Sequence, residues 1–107
     1  MTKVIVSPGN CGFSVVITAR KAEDKKIRIS MDTECEMVTA MLEDIALIDM
    51  RTLFSKHFAN PVYLSADRHL KHVACTVPCA ILKAMEVELG LCVAEDVTIR
   101  FEKQNKG

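Results

Sequence analysis

The chain has 107 residues, half of them hydrophobic, and its 14 basic residues balance 14 acidic ones. This length fits a single domain, here residues 1–107, that can bury a core without metal or disulfide staples. A net charge of zero argues against general nucleic-acid binding, which requires a clustered positive field. Because every apolar run in the sequence is too short to span a bilayer, we expect no membrane association.

The amino-terminal segment MTKVIVSPGN lacks the features of a secretory signal, because its apolar run is short and stops at Ser7 and Pro8. We therefore expect a cytoplasmic protein whose thiols stay reduced. The sequence contains five cysteines, an odd number that a framework of disulfides cannot use completely. Each cysteine is accordingly interpreted as a thiol, a ligand or a small apolar side chain.

The first third of the sequence has the pattern of short strands. Residues 4–6 form an apolar run, while residues 13–19 and 27–31 alternate apolar and polar side chains, the period of a half-buried strand. Turn-forming or charged residues separate these stretches, so we predict an antiparallel meander. Residues 97–101 alternate in the same way and predict a further strand.

The period changes to that of a helix after residue 33. Apolar residues recur at helical spacing over residues 38–48, and Thr33 followed by Glu36 predicts a capping box at the helix start. The helical pattern continues, bent or broken, until Pro61. A last helix is predicted over residues 77–89.

The predicted order β-β-β-α-(α)-α-β indicates the α+β class. Such an order is typical of a two-layer sandwich, with a mainly antiparallel sheet of about four strands and two to three helices on one face. The pattern of the sequence leaves the strand order open.

Three cysteines fall at the ends of predicted elements. Cys35 lies in the first turn of the helix that Thr33 is expected to cap, and Cys75 directly precedes the last helix. The positive end of a helix dipole favours thiolate over thiol at both positions. Cys11 lies in the turn PGNCGF, whose backbone amides can point at an anion or a cluster sulfur. These three residues are the candidate site.

The remaining two cysteines have a different context. Cys79 lies inside the last helix and Cys92 within the apolar run LGLCVA, so we expect both to be buried packing residues. The same packing role stays open for the three candidate cysteines, because free cysteine is among the most buried residue types.

Polar residues near the last helix supply candidate partners. His72 precedes Cys75 by three positions, a spacing found among metal ligands, and is the leading fourth ligand for three thiolates. His69 is interpreted as a surface residue. On the helix itself, Glu88 is expected to face solvent, whereas Lys83 and Glu86 have the i, i+3 spacing of a pair.

Several segments together resemble a known group of proteins. CGF at residues 11–13, HVACTVP at 72–78 and ILKAMEVELGL at 81–91, with Cys35 after a strand, are similar to a family of small cysteine-containing proteins of anaerobic prokaryotes that has no assigned biochemical function. The likeness covers residues 11–101. The motif positions that the resemblance implies are Cys11, Cys35, His72, Cys75, Lys83, Glu86 and Gly90. The sequence departs from the family pattern at Cys79, where a small residue is usual, and at LCVAED, where a proline usually precedes the acidic residue.

Three hypotheses about function follow. The favoured one is a metal- or iron–sulfur-binding module in which Cys11, Cys35 and Cys75 converge with His72, binding zinc as Cys3His or an iron–sulfur cluster. The second is a thiol-redox or sulfur-transfer protein that uses Cys75 as a low-pKa thiolate. The third is an interaction module with every cysteine in a packing role. We also expect a homodimer, because the sheet has edges that a second copy can pair with.

Overall fold

The computed structural model describes residues 1–103, which form one antiparallel sheet and a layer of helices. The strands of this sheet, each paired with the next along the chain, are β1 (Thr2–Val6), β2 (Val15–Lys21), β3 (Lys26–Thr33) and β4 (Leu47–Asp49). The α-helices of the described residues are α1 (Glu36–Ala40), α2 (Leu42–Ile45), α3 (Pro61–His69) and α4 (Val77–Glu88). Two 3-10 turns, Met50–Phe54 and His57–Ala59, connect β4 to α3. The predicted α+β class with an antiparallel sheet is confirmed.

Side chains alternate between the two faces of each strand, so one row of them points into the core. In β2, Val15, Ile17 and Ala19 are buried, and the register sets Ile17 opposite Val4 of β1 and Met31 of β3. Helices α1 and α2 pack against β3, while α4 packs against β1 and β2. The buried apolar residues of this core are Val6, Val15, Ile17, Ala19, Ile27, Ile29, Val38, Met41, Ile45, Ile48, Val62, Val77, Ile81, Ala84 and Met85.

The fourth strand lies elsewhere in the chain than the alternating pattern predicts. Leu47–Asp49 forms β4 inside the stretch expected to be helical, and residues 97–101 carry no strand within the described chain. Ile48 satisfies both the helical and the strand pattern, so local sequence does not separate the two. Pairing with β3, where Ile48 lies opposite Ile27 and is almost fully buried, decides for the strand.

The predicted capping box is wrong. Thr33 is the last residue of β3, and its hydroxyl accepts a hydrogen bond from the amide of Cys35 at 3.1 Å. Cys35 itself is the N-cap of α1, without a side-chain cap. The hydroxyl of Thr33 therefore closes the turn from strand to helix instead of capping the helix, a local bond that competes with the cap.

The carboxylate of Glu88 fixes the end of α4 on the sheet. It accepts hydrogen bonds from the hydroxyl of Thr2 at 2.8 Å and from the backbone amide of Lys21 at 2.9 Å. The side chain is 10% exposed, so the expectation that it faces solvent is wrong. Burial raises its pKa, but the bonds from Lys21 and Thr2 and the amino-terminal ammonium group outweigh burial and lower the pKa below its ordinary value.

The buried side chain of Asn60 sets the start of α3. Its carbonyl oxygen accepts from the amide of Val62 at 2.9 Å, which caps the helix, and its amide nitrogen donates to the carbonyl of Thr52 at 2.8 Å. One side chain thus joins α3 to the 3-10 turn before it. None of the helices in residues 1–103 is both long and apolar enough to cross a membrane.

Replacing Asn60 should measure this double role. Asn60→Ala is expected to lower the free energy of unfolding by about 2 kcal/mol, roughly half from the lost cap and half from the carbonyl left without its donor. Asn60→Ser retains a capping oxygen and is expected to lose about half as much. Urea unfolding of the three proteins checks both values. An Asn60→Ala protein as stable as the wild type would contradict the assignment.

Candidate functional site

Two connections that carry cysteine leave the same end of the sheet. Val6 lies opposite Val15, and Val15 lies opposite Thr33, so these three residues mark one end of the first three strands. Cys11 lies in the loop between β1 and β2 that begins there, and Cys35 follows β3 by two residues. Both cysteines therefore belong to this end of the sheet.

The length of helix α4 indicates where Cys75 is expected. Its last residue, Glu88, is bonded to the start of β1 and the end of β2, which is the opposite end of the sheet. A helix of 12 residues is about 18 Å long, close to the length of a five-residue strand. Since Cys75 precedes the first turn of α4, we expect it towards the end that carries Cys11 and Cys35. We call that end of the sheet, together with the segment before α4, the thiol end.

Burial differs among the three residues of the thiol end. Cys11 is exposed, while Cys35 and Cys75 are partly buried and pack against the core. His72 is exposed in the loop before α4. Within residues 1–103, no three side chains of His, Cys, Asp or Glu form a group that could hold a metal ion. Convergence of the three cysteines with His72 stays a prediction.

The turn that carries Cys11 has a fixed backbone. Gly9 and Gly12 have φ angles of +90° and +75°, and the amide of Gly12 donates to the carbonyl of Gly9 at 3.0 Å. Both φ values lie in the left-handed region that favours glycine, so the two glycines shape this turn. Cys11 stands between them at the tip of the loop with its thiol open to solvent.

The two helix starts at the thiol end are not equivalent. The helix that follows Cys35 has only five residues, so its dipole is short and the expected stabilisation of a thiolate by a long helix does not apply there. Cys75 precedes a helix of 12 residues. Of the two cysteines, only Cys75 therefore precedes a helix of several turns.

The expectation that Cys79 and Cys92 are buried is wrong, since both thiols are exposed. The buried face of α4 is formed by Val77, Pro78, Ile81, Ala84 and Met85. Cys79 lies on α4 beside this buried face. Cys92 lies in a stretch where every residue from 90 to 103 is exposed. Because Cys11, Cys79 and Cys92 are all exposed, the cysteines of this chain do not all have a packing role.

Cys79 lines a groove of about 210 Å³ beside α4. The helix contributes Cys79, Lys83 and Glu86 to one wall, and His57 and Tyr63 stand in the other. The rings of His57 and Tyr63 have their centroids 5.6 Å apart. The groove was not predicted from the sequence. The only signal for it was the i, i+3 spacing of Lys83 and Glu86, two charged residues on a largely apolar helix.

The environment of Tyr63 shows how close the two walls are. Burial raises the pKa of its phenol, and the charge of the Cys79 thiolate raises that pKa further. The groove therefore brings a thiol and a phenol close together, and the negative charge of a thiolate there disfavours the phenolate of Tyr63 by repulsion.

A second polar cluster is centred on Asp44. Its carboxylate accepts from the hydroxyl of Ser65 at 2.7 Å, contacts Nε2 of His69 at 2.9 Å and pairs with the guanidinium of Arg68 at 3.1 Å. The side chain of His69 is 20% exposed and bound to Asp44, so interpreting it as a plain surface residue was wrong.

The residue types of this cluster are those of a serine hydrolase, but their order is not. In a catalytic triad the histidine stands between serine and aspartate. Here Asp44 stands between Ser65 and His69, and Ser65 is fully buried. The cluster consequently ties α2 to α3 and has no nucleophile to offer.

The chain belongs to a family of unknown function, DUF6951, whose model matches residues 2–101. The resemblance to an uncharacterised family is thereby confirmed. No curated protein and no solved structure matches the chain.

The Asp44 cluster predicts a specific pH dependence of stability. The hydrogen bond from Ser65, the contact with His69 and the Arg68 pair lower the pKa of Asp44. A lowered folded-state pKa adds stability above the unfolded pKa of about 3.9, and this stability is lost as the pH falls through the folded value. The difference in urea midpoint between wild type and Asp44→Asn should therefore shrink below about pH 4. Glu43→Gln is the exposed neighbouring control, and a difference independent of pH would contradict the assignment.

Tyr63 offers a direct probe of the groove, because it is the one tyrosine of the sequence. Its ultraviolet pH titration should have a midpoint above the ordinary value of about 10. Cys79→Ala should return the midpoint part of the way, since burial remains when the thiolate charge is removed. Cys92→Ala is the matched control and should leave the titration unchanged. A wild-type midpoint equal to that of free tyrosine would refute the coupling.

Proposed function

We propose that this protein is a small cytoplasmic metal- or iron–sulfur-binding module with Cys11, Cys35 and Cys75 as its thiolate ligands. The observation that supports the proposal is the topology of the thiol end. Cys11 follows β1 and Cys35 follows β3 at one end of the sheet. Cys75 directly precedes α4, whose last residue is bonded to the opposite end, and this arrangement supports the placement of Cys75 with the other two.

The chemistry of the donor set suits two kinds of centre. Zinc in structural sites takes four ligands, and His72 in the loop before α4 is the fourth that completes Cys3His. An iron–sulfur cluster prefers thiolates and gains from amide hydrogen bonds to sulfur, which the glycine turn around Cys11 could donate. Either centre would be bound by the same three sulfur atoms.

Binding requires the loops of the thiol end to move. Cys35 and Cys75 are held against the core, whereas Cys11 and His72 lie in loops and are exposed. Cys11 and His72 would have to move towards the two partly buried cysteines to complete a site, so the site would become ordered on binding. Since the bound state is then more stable than the free state, metal should raise the thermal midpoint.

A second candidate function rests on Cys75 alone. This partly exposed cysteine precedes a 12-residue helix, and Cys11 is an exposed thiol that can serve as its resolving partner. In a thiol-redox reaction the thiolate of Cys75 attacks a substrate disulfide and releases one substrate thiol. Cys11 then attacks the mixed disulfide, releases the second thiol and leaves a Cys11–Cys75 disulfide, so two electrons pass from protein to substrate.

Metal analysis of purified protein tests the first proposal. Anaerobically prepared chains, loaded with zinc or reconstituted with iron and sulfide, should bind the ion stoichiometrically and gain thermal stability. Serine in place of Cys11, Cys35 or Cys75 should each remove most of the bound metal, and a second replacement should add little because the ligands act as a unit.

The exposed cysteines outside the thiol end provide matched controls. Cys79→Ser and Cys92→Ser should keep the metal and, because both thiols are exposed, should leave the thermal midpoint nearly unchanged. Wild-type protein that binds neither zinc nor iron would overturn the proposal. Loss of metal from the Cys79 or Cys92 variant with retention in Cys11→Ser would overturn the ligand assignment. Metal-free protein that forms a Cys11–Cys75 disulfide on oxidation would favour the redox function.

A further inference from the structure

The segment after α4 is an extended apolar stretch without contacts to the core. Every residue from 90 to 103 is exposed. Val97, Ile99 and Phe101 are 61%, 73% and 93% exposed. A row of large apolar side chains on the surface marks a place that contacts another molecule.

The order of residues in this stretch is that of a strand with one apolar face. Val97, Ile99 and Phe101 alternate with polar residues, and β-branched and aromatic side chains of this kind favour strands. Within residues 1–103, however, the stretch pairs with no strand of the sheet. An isolated strand is not stable in water, so this pattern requires a sheet to join.

The sheet presents an edge of matching length. β1 spans five residues and, in the described chain, pairs with β2 alone, so the backbone groups of its other side face no strand. The alternating stretch 97–101 also has five residues. The other edge strand, β4, has three residues and runs directly into the 3-10 turn Met50–Phe54, which leaves too little backbone for pairing.

The side chains at the β1 edge also fit. Val4 and Val6 point to the helix side and belong to the core or pack against it, while Lys3 and Ile5 point to the other, exposed face. A strand beside β1 with Val97, Ile99 and Phe101 on the helix side extends the apolar layer past Val4 and Val6. Its polar residues Thr98, Arg100 and Glu102 then lie on the exposed face that carries Lys3.

The end of α4 directs the stretch away from its own sheet. The amide of Leu91 donates to the carbonyl of Glu86 at 2.9 Å and that of Gly90 to Val87 at 3.0 Å, with Gly90 at φ +74°. These two bonds form a Schellman motif, which sets the direction in which the chain leaves the helix. The molecule measures 59 Å in its longest dimension against 29 and 26 Å in the others, as expected when a terminal stretch extends outward.

We propose that residues 97–101 form a fifth strand on the β1 edge of a second copy of this chain. Each copy has one alternating stretch that pairs with no strand of its own sheet and one open edge of equal length, and two copies related by a two-fold axis satisfy both at once. This equality of strand and edge is the reason to infer a second copy in preference to another protein. Backbone pairing supplies the affinity and the alternating side chains the register, as in β-strand addition generally.

Light scattering of the full chain after size-exclusion chromatography tests this exchange. The wild type should have twice the chain mass of 11.9 kDa. Ile99→Asp puts a charge on the apolar face of the stretch and should give the monomer mass. Thr98→Asp makes the same kind of change one residue earlier, on the polar face, and should remain a dimer. Circular dichroism should show both variants folded, with Ile99→Asp losing only the strand signal of residues 97–101, because the stretch lies outside the core.

Hydrogen exchange locates the pairing. Amides of residues 97–101 and the outward amides of β1 should be protected in the wild type and lose protection in Ile99→Asp. A wild-type monomer would overturn the proposal, whether its stretch is unprotected or protected by pairing within one chain. A dimer that persists in Ile99→Asp would overturn it as well, because the two copies would then meet through another surface.

Discussion

The hydrogen bonds of Glu88 determine how the helical layer lies on the sheet. Their donors, the hydroxyl of Thr2 and the amide of Lys21, belong to the start of β1 and the end of β2, so a single carboxylate fixes one end of α4 on two strands. Together with the buried apolar face of α4, this contact holds the helix on the sheet. The same helix carries one wall of the groove, Cys75 precedes it and the terminal stretch follows it.

Helix α4 divides its reactive side chains between two surroundings. Cys75 precedes its first turn and packs against the core. Cys79, four residues further along the chain, lines the groove with Tyr63. Two thiols so near in sequence thus have different surroundings.

Polar contacts between helices hold the layer together beside the apolar core. Asn60 joins α3 to the turn before it, and Asp44 joins α2 to α3 through Ser65 and His69. In each of these two contacts, one short side chain forms hydrogen bonds with groups on separate elements. Among the described residues no buried side-chain nitrogen or oxygen atom is left without a hydrogen bond, which is what a single ordered packing of these short helices requires.

The sequence by itself determined the α+β class, the three-strand meander and helix α4, because periods of 2 and 3.6 report which side of a segment is buried. It also determined that Cys11, Cys35 and Cys75 fall at element ends. Only the tertiary structure decided that Leu47–Asp49 is a strand, that Cys79 is exposed and that Glu88 is bonded to β1 and β2. The physical reason is that these outcomes depend on partners distant in sequence, whose pairing energy overrides local preference where, as at Ile48, one residue fits both periods.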